Sequence, residues 1–132
     1  MAFKLVIGTK DGKSAQKEVQ DPEAKTLLGR KLGEQVKGDD LGFAGYEFLI
    51  TGGSDHCGFP MRKDLDGTGR KRILAVQGIG LKKKRKGCRV RKTMCGNTIH
   101  EKISQINLKV TKEGKESLIA PKETAKAEEK KE

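Results

Sequence analysis

Apolar and polar positions alternate over the first residues: Phe3, Leu5 and Ile7 are separated by Lys4 and Val6, which predicts a strand with one buried face. Asp11-Gly12 supplies a hairpin turn, and a second, weaker strand is expected over residues 14–20. Asp21-Pro22-Glu23 then offers an N-cap, a proline for the first helical position and an acid near the positive helix end. A short helix should follow, carrying Ala24, Leu27 and Leu28 inward and stopping near Gly29 or Gly33. Residues 34–45 read as a connection that tucks Leu41 and Phe43 under the core. The clearest strand covers residues 45–51, with Tyr46, Phe48 and Ile50 on one face and Leu49 hinting at cover on the other. A turn-rich loop, GGSDHCGFPM, occupies residues 52–61, and a further strand is expected over 72–77. Residues 98–104 suit a helical turn that brings Ile99 and Ile103 together, before Ile106, Leu108 and Val110 alternate as a last strand.

These elements give a mostly β domain over residues 1–111 with one or two short helices. Residues 112–132 hold six Lys and six Glu and no aromatic, too little apolar surface to offset the entropy of ordering. They are expected to form a charged, flexible tail, the last dozen residues disordered. Only 33% of the 132 residues are apolar, so one small core is the expectation.

Charge changes the picture. The net charge of +11 is concentrated in residues 62–92, which carry 13 basic and 2 acidic side chains, so the rest of the chain sums to zero. Within it, residues 82–92 read KKKRKGCRVRK, with eight basic side chains in eleven and no acid. Such crowding repels itself, keeps the stretch mobile in a free protein and calls for a polyanion; its alternation and glycines favour an extended ribbon or long loop over a helix. No apolar face accompanies it for insertion beside lipid, so nucleic acid is the expected partner and a membrane is not. The start of the chain lacks the apolar run of a secretory signal, and a cytosolic protein is expected.

Other candidate chemistry is weaker. GTKDGKS, at residues 8–14, has three residues between its glycines where a phosphate-binding loop needs four, so a hairpin is the better reading. Cys57, Cys88, Cys95, His56 and His100 lack the paired spacing of structural zinc ligands, and no metal, cofactor or small-molecule substrate is expected. A nucleophilic Cys57 activated by His56 is disfavoured because adjacent side chains on an extended chain point to opposite faces. Strand motifs for base stacking are absent, and with five aromatics in the chain the recognition expected is of the backbone and shape of folded RNA.

The stretches GYEFLITGGSDHCGFPMR and RKGCRVRKTMCGNTI, followed by QINLKV, resemble small-subunit ribosomal protein six of the archaeal and eukaryotic type, over roughly residues 3–111. The length is similar to that of the archaeal form. The resemblance implies a barrel-like domain embedded in small-subunit ribosomal RNA beside neighbouring ribosomal proteins, a cytoplasmic place in the ribosome, a structural role and no catalytic site. It also marks departures: His56 and Cys57 stand where the family usually has Lys and Gln, Cys88 where Glu is general and Cys95 where Arg is common. The long phosphorylated extension of eukaryotic members has no counterpart here. The alternative function is a free RNA chaperone or translation-associated factor.

The candidate RNA contacts are Arg62, Arg70, Lys71, Arg72, Lys82, Lys83, Lys84, Arg85, Lys86, Arg89, Arg91 and Lys92, with Gly52, Gly53, Gly58 and Asn97. The glycines would admit close backbone approach. Phe59 and Met61 are expected to be buried together as a plug on the domain, the other arrangement being Phe59 laid against RNA.

Overall fold

A computed structural model describes residues 2–82 and 85–118. Its main sheet has five strands in the order β2-β1-β7-β4-β3, formed by β1 (Ala2–Gly8), β2 (Ser14–Gln20), β3 (Gln35–Lys37), β4 (Glu47–Asp55) and β7 (Ile103–Lys112). A separate two-stranded ribbon pairs β5 (Arg70–Ala75) with β6 (Val90–Cys95).

The alternation read from the first strand holds. Phe3, Leu5 and Ile7 are buried, and β1 pairs antiparallel with β2 through the hairpin in which Gly12 takes a positive φ of 84°. On its other side β1 runs parallel to β7, matching Leu5 with Ile106 and Ile7 with Leu108, so the inward residues of three strands lie in one layer. Phe43, Tyr46 and Phe48 form an aromatic cluster, Tyr46 and Phe48 stacked at 5.8 Å and Phe43 edge-on to both.

The sheet curls into a half-barrel, and short 3-10 turns occupy the space between its edge strands. Glu23–Leu27 forms the first of these where a short helix is expected, and Pro22 stands at its cap position rather than inside it. The tighter winding suits the side chains: residues three apart eclipse in a 3-10 turn, which directs both Ala24 and Leu27 into the core while Leu28 stays half-buried. A second turn, Gly38–Leu41, buries Leu41 and follows the three-residue β3, whose Val36 is also buried. Lys17 of β2 crosses the gap, donating to the Leu41 carbonyl at 3.0 Å with its ammonium 4.3 Å from the Phe43 ring centroid.

Residues 98–104 form a single hydrogen-bonded turn, not a helix: Ile103 N donates to His100 O at 3.1 Å. Thr98 makes an isolated bridge with Lys31, and β7 already begins at Ile103, so Ile99 and Ile103 reach the core from the two sides of that turn. Past β7 the chain packs on the domain through Leu118: the Tyr46 hydroxyl donates to the Glu116 carbonyl, and Leu118 lies against the core. The remainder of the expected tail, from residue 119, lies outside the described residues.

Candidate nucleic-acid interface

The strand expected to end at Thr51 runs on to Asp55, because glycines that resemble a loop are needed inside the sheet. A Cβ on Gly53 would meet the Gln105 carbonyl oxygen at 2.6 Å and the Met61 sulfur at 3.0 Å. Between Ile50 and Gly52 the register with β7 slips by one residue. That bulge changes the inward set from Phe48 and Ile50 to Gly53 and Asp55, which puts a carboxylate on the core side.

Asp55 is 3% exposed, and its Oδ2 accepts from Arg70 Nε at 2.5 Å. The Arg70 hydrogen bond outweighs burial and, with the Cys57 amide at 3.2 Å from Oδ1, lowers the carboxyl pKa to about 2. The same bond raises the Arg70 pKa further above its ordinary value. Arg70 also lies 5.0 Å above the centre of the Phe59 ring, and its Nη2 reaches 3.4 Å from the His56 ring. One guanidinium thus ties the start of the ribbon to the end of β4.

The chain turns back at residues 55–58, where the Gly58 amide donates to the Asp55 carbonyl at 2.9 Å and Gly58 takes a φ of 85°. The return segment bridges sheet and ribbon: Met61 N donates to Gly53 O at 3.0 Å, while Cys95 N donates to Pro60 O at 2.9 Å. Met61 is buried, but Phe59 is only half-buried at the rim, so the expected plug is Met61 alone. Burial, reinforced by the Asp55 charge, raises the pKa of the Cys95 thiol.

Pairing in the ribbon matches Arg72 with Thr93 and Leu74 with Arg91 on one face, and Ile73 with Lys92 and Ala75 with Val90 on the other. Ile73, Ala75 and Val90 are half-buried, and the turn at Gly80 presses back on Met94 and Pro60. The face bearing Arg72, Leu74 and Arg91 is exposed, and a cleft of about 380 Å³ between Phe59, Pro60, Gly80, Arg72, Arg91 and Met94 runs along the ribbon. Lys71, Lys82, Arg85, Lys86, Arg89 and Lys92 are exposed as well, whereas Lys83 and Lys84 lie outside the described residues.

The other expected contacts, Gly58 excepted, are tied into the protein. Arg62 has a side chain 13% exposed, and its Nη2 donates to Asp64 at 2.6 Å, a bond that lowers the Asp64 pKa. Its Nη1 is buried with no partner among the described residues. Asn97 is buried, and its amide donates to Lys63 O and Asp66 Oδ1. Gly52 and Gly53 are half-buried in β4; Gly58 stands at the exposed tip of the turn. Sequence reasoning missed Asp55 as the organiser of this corner. The signal available was an acid between a glycine-rich strand end and an arginine-rich segment.

The profile of the family described as Ribosomal protein S6e matches residues 3–122. The chain belongs to the S6e family. Among its relatives, the small ribosomal subunit protein eS6 of Methanosphaera stadtmanae is 48% identical over 118 residues, covering 89% of this chain and 90% of the relative. That of Methanothermobacter thermautotrophicus is 47% identical over 118 residues, 89% of this chain and 93% of its own. The protein of the same description from Nitrosopumilus maritimus is 47% identical over 107 residues, 81% of this chain and 77% of its own. The S6e match reaches from β1 past β7 and takes in both the β4 turn and the ribbon.

Proposed function

We propose that this chain is a structural constituent of the small ribosomal subunit in the cytoplasm, and that it holds folded ribosomal RNA with the open face of the β5–β6 ribbon and the basic run at its tip. The observation that carries this reading is the segregation of charge: residues 62–92 hold the whole net charge, and the ribbon built from them leaves Arg72 and Arg91 on an uncovered face. Membership of the S6e family and the relatives' description as small-subunit proteins support the assignment to the particle.

Arginine forks grip phosphate oxygens in pairs, while the lysines around the tip add point charges. The Asp55–Arg70–Phe59 corner sets the angle at which the ribbon leaves the sheet. Leu74, Val76 and Ile79 are each about half exposed on the ribbon or its tip, and burial in the assembled particle removes them from water. The role is architectural, not catalytic, and neighbouring ribosomal proteins are the other partners.

The test is incorporation. Tagged protein should remain with small subunits through a high-salt wash, and the paired charge reversal Arg72→Glu/Arg91→Glu should lose rRNA binding while melting like the parent. A protein that washes off quantitatively would instead be a soluble factor.

A further inference from the structure

The turn that ends β4 gathers three potential metal ligands. Adjacent residues on a strand would point apart, but the strand stops at Asp55, and the turn folds His56 and Cys57 around its carboxylate. One oxygen of Asp55, a ring nitrogen of His56 and the Cys57 sulfur all lie within 4.8 Å of one another. Donors around a tetrahedral zinc ion, at bond lengths near 2.0 to 2.3 Å, sit about 3 to 4 Å apart. His56 and Cys57 are exposed, so side-chain rotation alone can draw the set together.

The carboxylate is divided suitably. Arg70 holds Oδ2, and Oδ1 faces His56 Nδ1, so the arginine acts as the outer partner that fixes the ligand's orientation. One carboxylate and one thiolate neutralise a divalent ion, so the loaded site with Arg70 beside it carries a net charge of +1.

We propose that Asp55, His56 and Cys57 form a three-ligand site for a zinc-class divalent ion, with the fourth position open to solvent. Mixed oxygen, nitrogen and sulfur donors suit zinc better than magnesium or calcium, which prefer oxygen alone. Binding exchanges protons for metal: the ion replaces the Cys57 thiol proton, which leaves to solvent, and takes the place of any proton shared between His56 and Asp55.

The experiment uses the full chain, reduced and stripped of metal, titrated with Co²⁺ and then Zn²⁺ in the absence of RNA. The expected result is a thiolate-to-cobalt charge-transfer band and tetrahedral ligand-field bands that saturate at one ion per chain, disappear on adding Zn²⁺ and accompany proton release. Cys57→Ser should abolish the charge-transfer band, and His56→Ala should weaken binding by about tenfold or more. Cys88→Ser and His100→Ala should leave the spectrum unchanged, and thermal melts confirm that each variant is folded. Absence of the band in the parent, or its survival in Cys57→Ser, overturns the site. Neither result bears on rRNA binding, which is measured separately.

Discussion

Asp55 is nearly sealed from water, and it stays ionised because Arg70 supplies the hydrogen bond and charge that water no longer does. Its pKa falls from 3.8 to about 2 on folding, so its contribution to stability is fully present above pH 3.8 and is lost as the pH drops through about 2. The shift corresponds to at most about 2.5 kcal/mol, less what solvent screening at the partly exposed Arg70 removes. Denaturant melts across that acid range should show the parent's advantage over Arg70→Leu shrinking as pH falls. A constant difference would mean that Arg70 acts only by lying on Phe59. At the neighbouring apolar positions, burial decides: Met61→Ala should cost about 2–5 kcal/mol, a core truncation, and the half-buried Phe59→Ala roughly 2 kcal/mol, below the usual loss for a sealed ring. Equal losses in melts of the two variants would put Phe59 in the core after all.

At the scale of elements, β1, β2 and β7 were legible because each has one wet face, and alternation records that directly. The end of β4 was hidden because its glycines have two opposite meanings in a sequence, turn or close packing, and only the neighbouring Gln105 carbonyl and Met61 sulfur distinguish them. β3 is three residues long, too short for periodicity to declare, and Ile99 and Ile103 flank one tight turn, a spacing that imitates a helix. The basic ribbon could be read from charge, but which arginines face outward depends on the pairing of Arg72 with Thr93 and Leu74 with Arg91. The hydrogen bonds of Arg62 with Asp64 and of Asn97 with Lys63 and Asp66 were likewise not legible, those of Asn97 because they join loops that only the fold brings together. If Gly53 is a packing residue, Gly53→Ala should destabilise the domain by about 1–3 kcal/mol through overpacking against backbone that cannot withdraw. Gly58→Ala has nothing within 4 Å of the new methyl, so its cost is the left-handed conformation alone, about 1 kcal/mol. Melts that rank the two in reverse order would return residues 52–55 to a loop.

The whole molecule is divided between a charge-balanced half-barrel that supplies the core and a ribbon that supplies the field. The half-barrel buries its side chains without reference to RNA, whereas the ribbon adds a second, small layer anchored at Met61, Met94 and Cys95 and exposes its arginines. Binding to isolated small-subunit RNA should therefore depend on salt through the ribbon. If about 6 phosphates are neutralised, the slope of log affinity against log salt is about −4 to −5, from coefficients of about 0.7 per contact on single strands and 0.9 on duplex. Each of Arg72→Ala and Arg91→Ala should reduce the magnitude of that slope by about one, with little change in melting. Arg62→Ala should do the reverse, leaving the slope and lowering stability, since its side chain is mostly buried and bonded to Asp64. Filter-binding or fluorescence titrations over a salt series measure all three. A parent slope near zero, or one that Arg62→Ala reduces while Arg91→Ala leaves it intact, would move the RNA interface away from the open face of the ribbon.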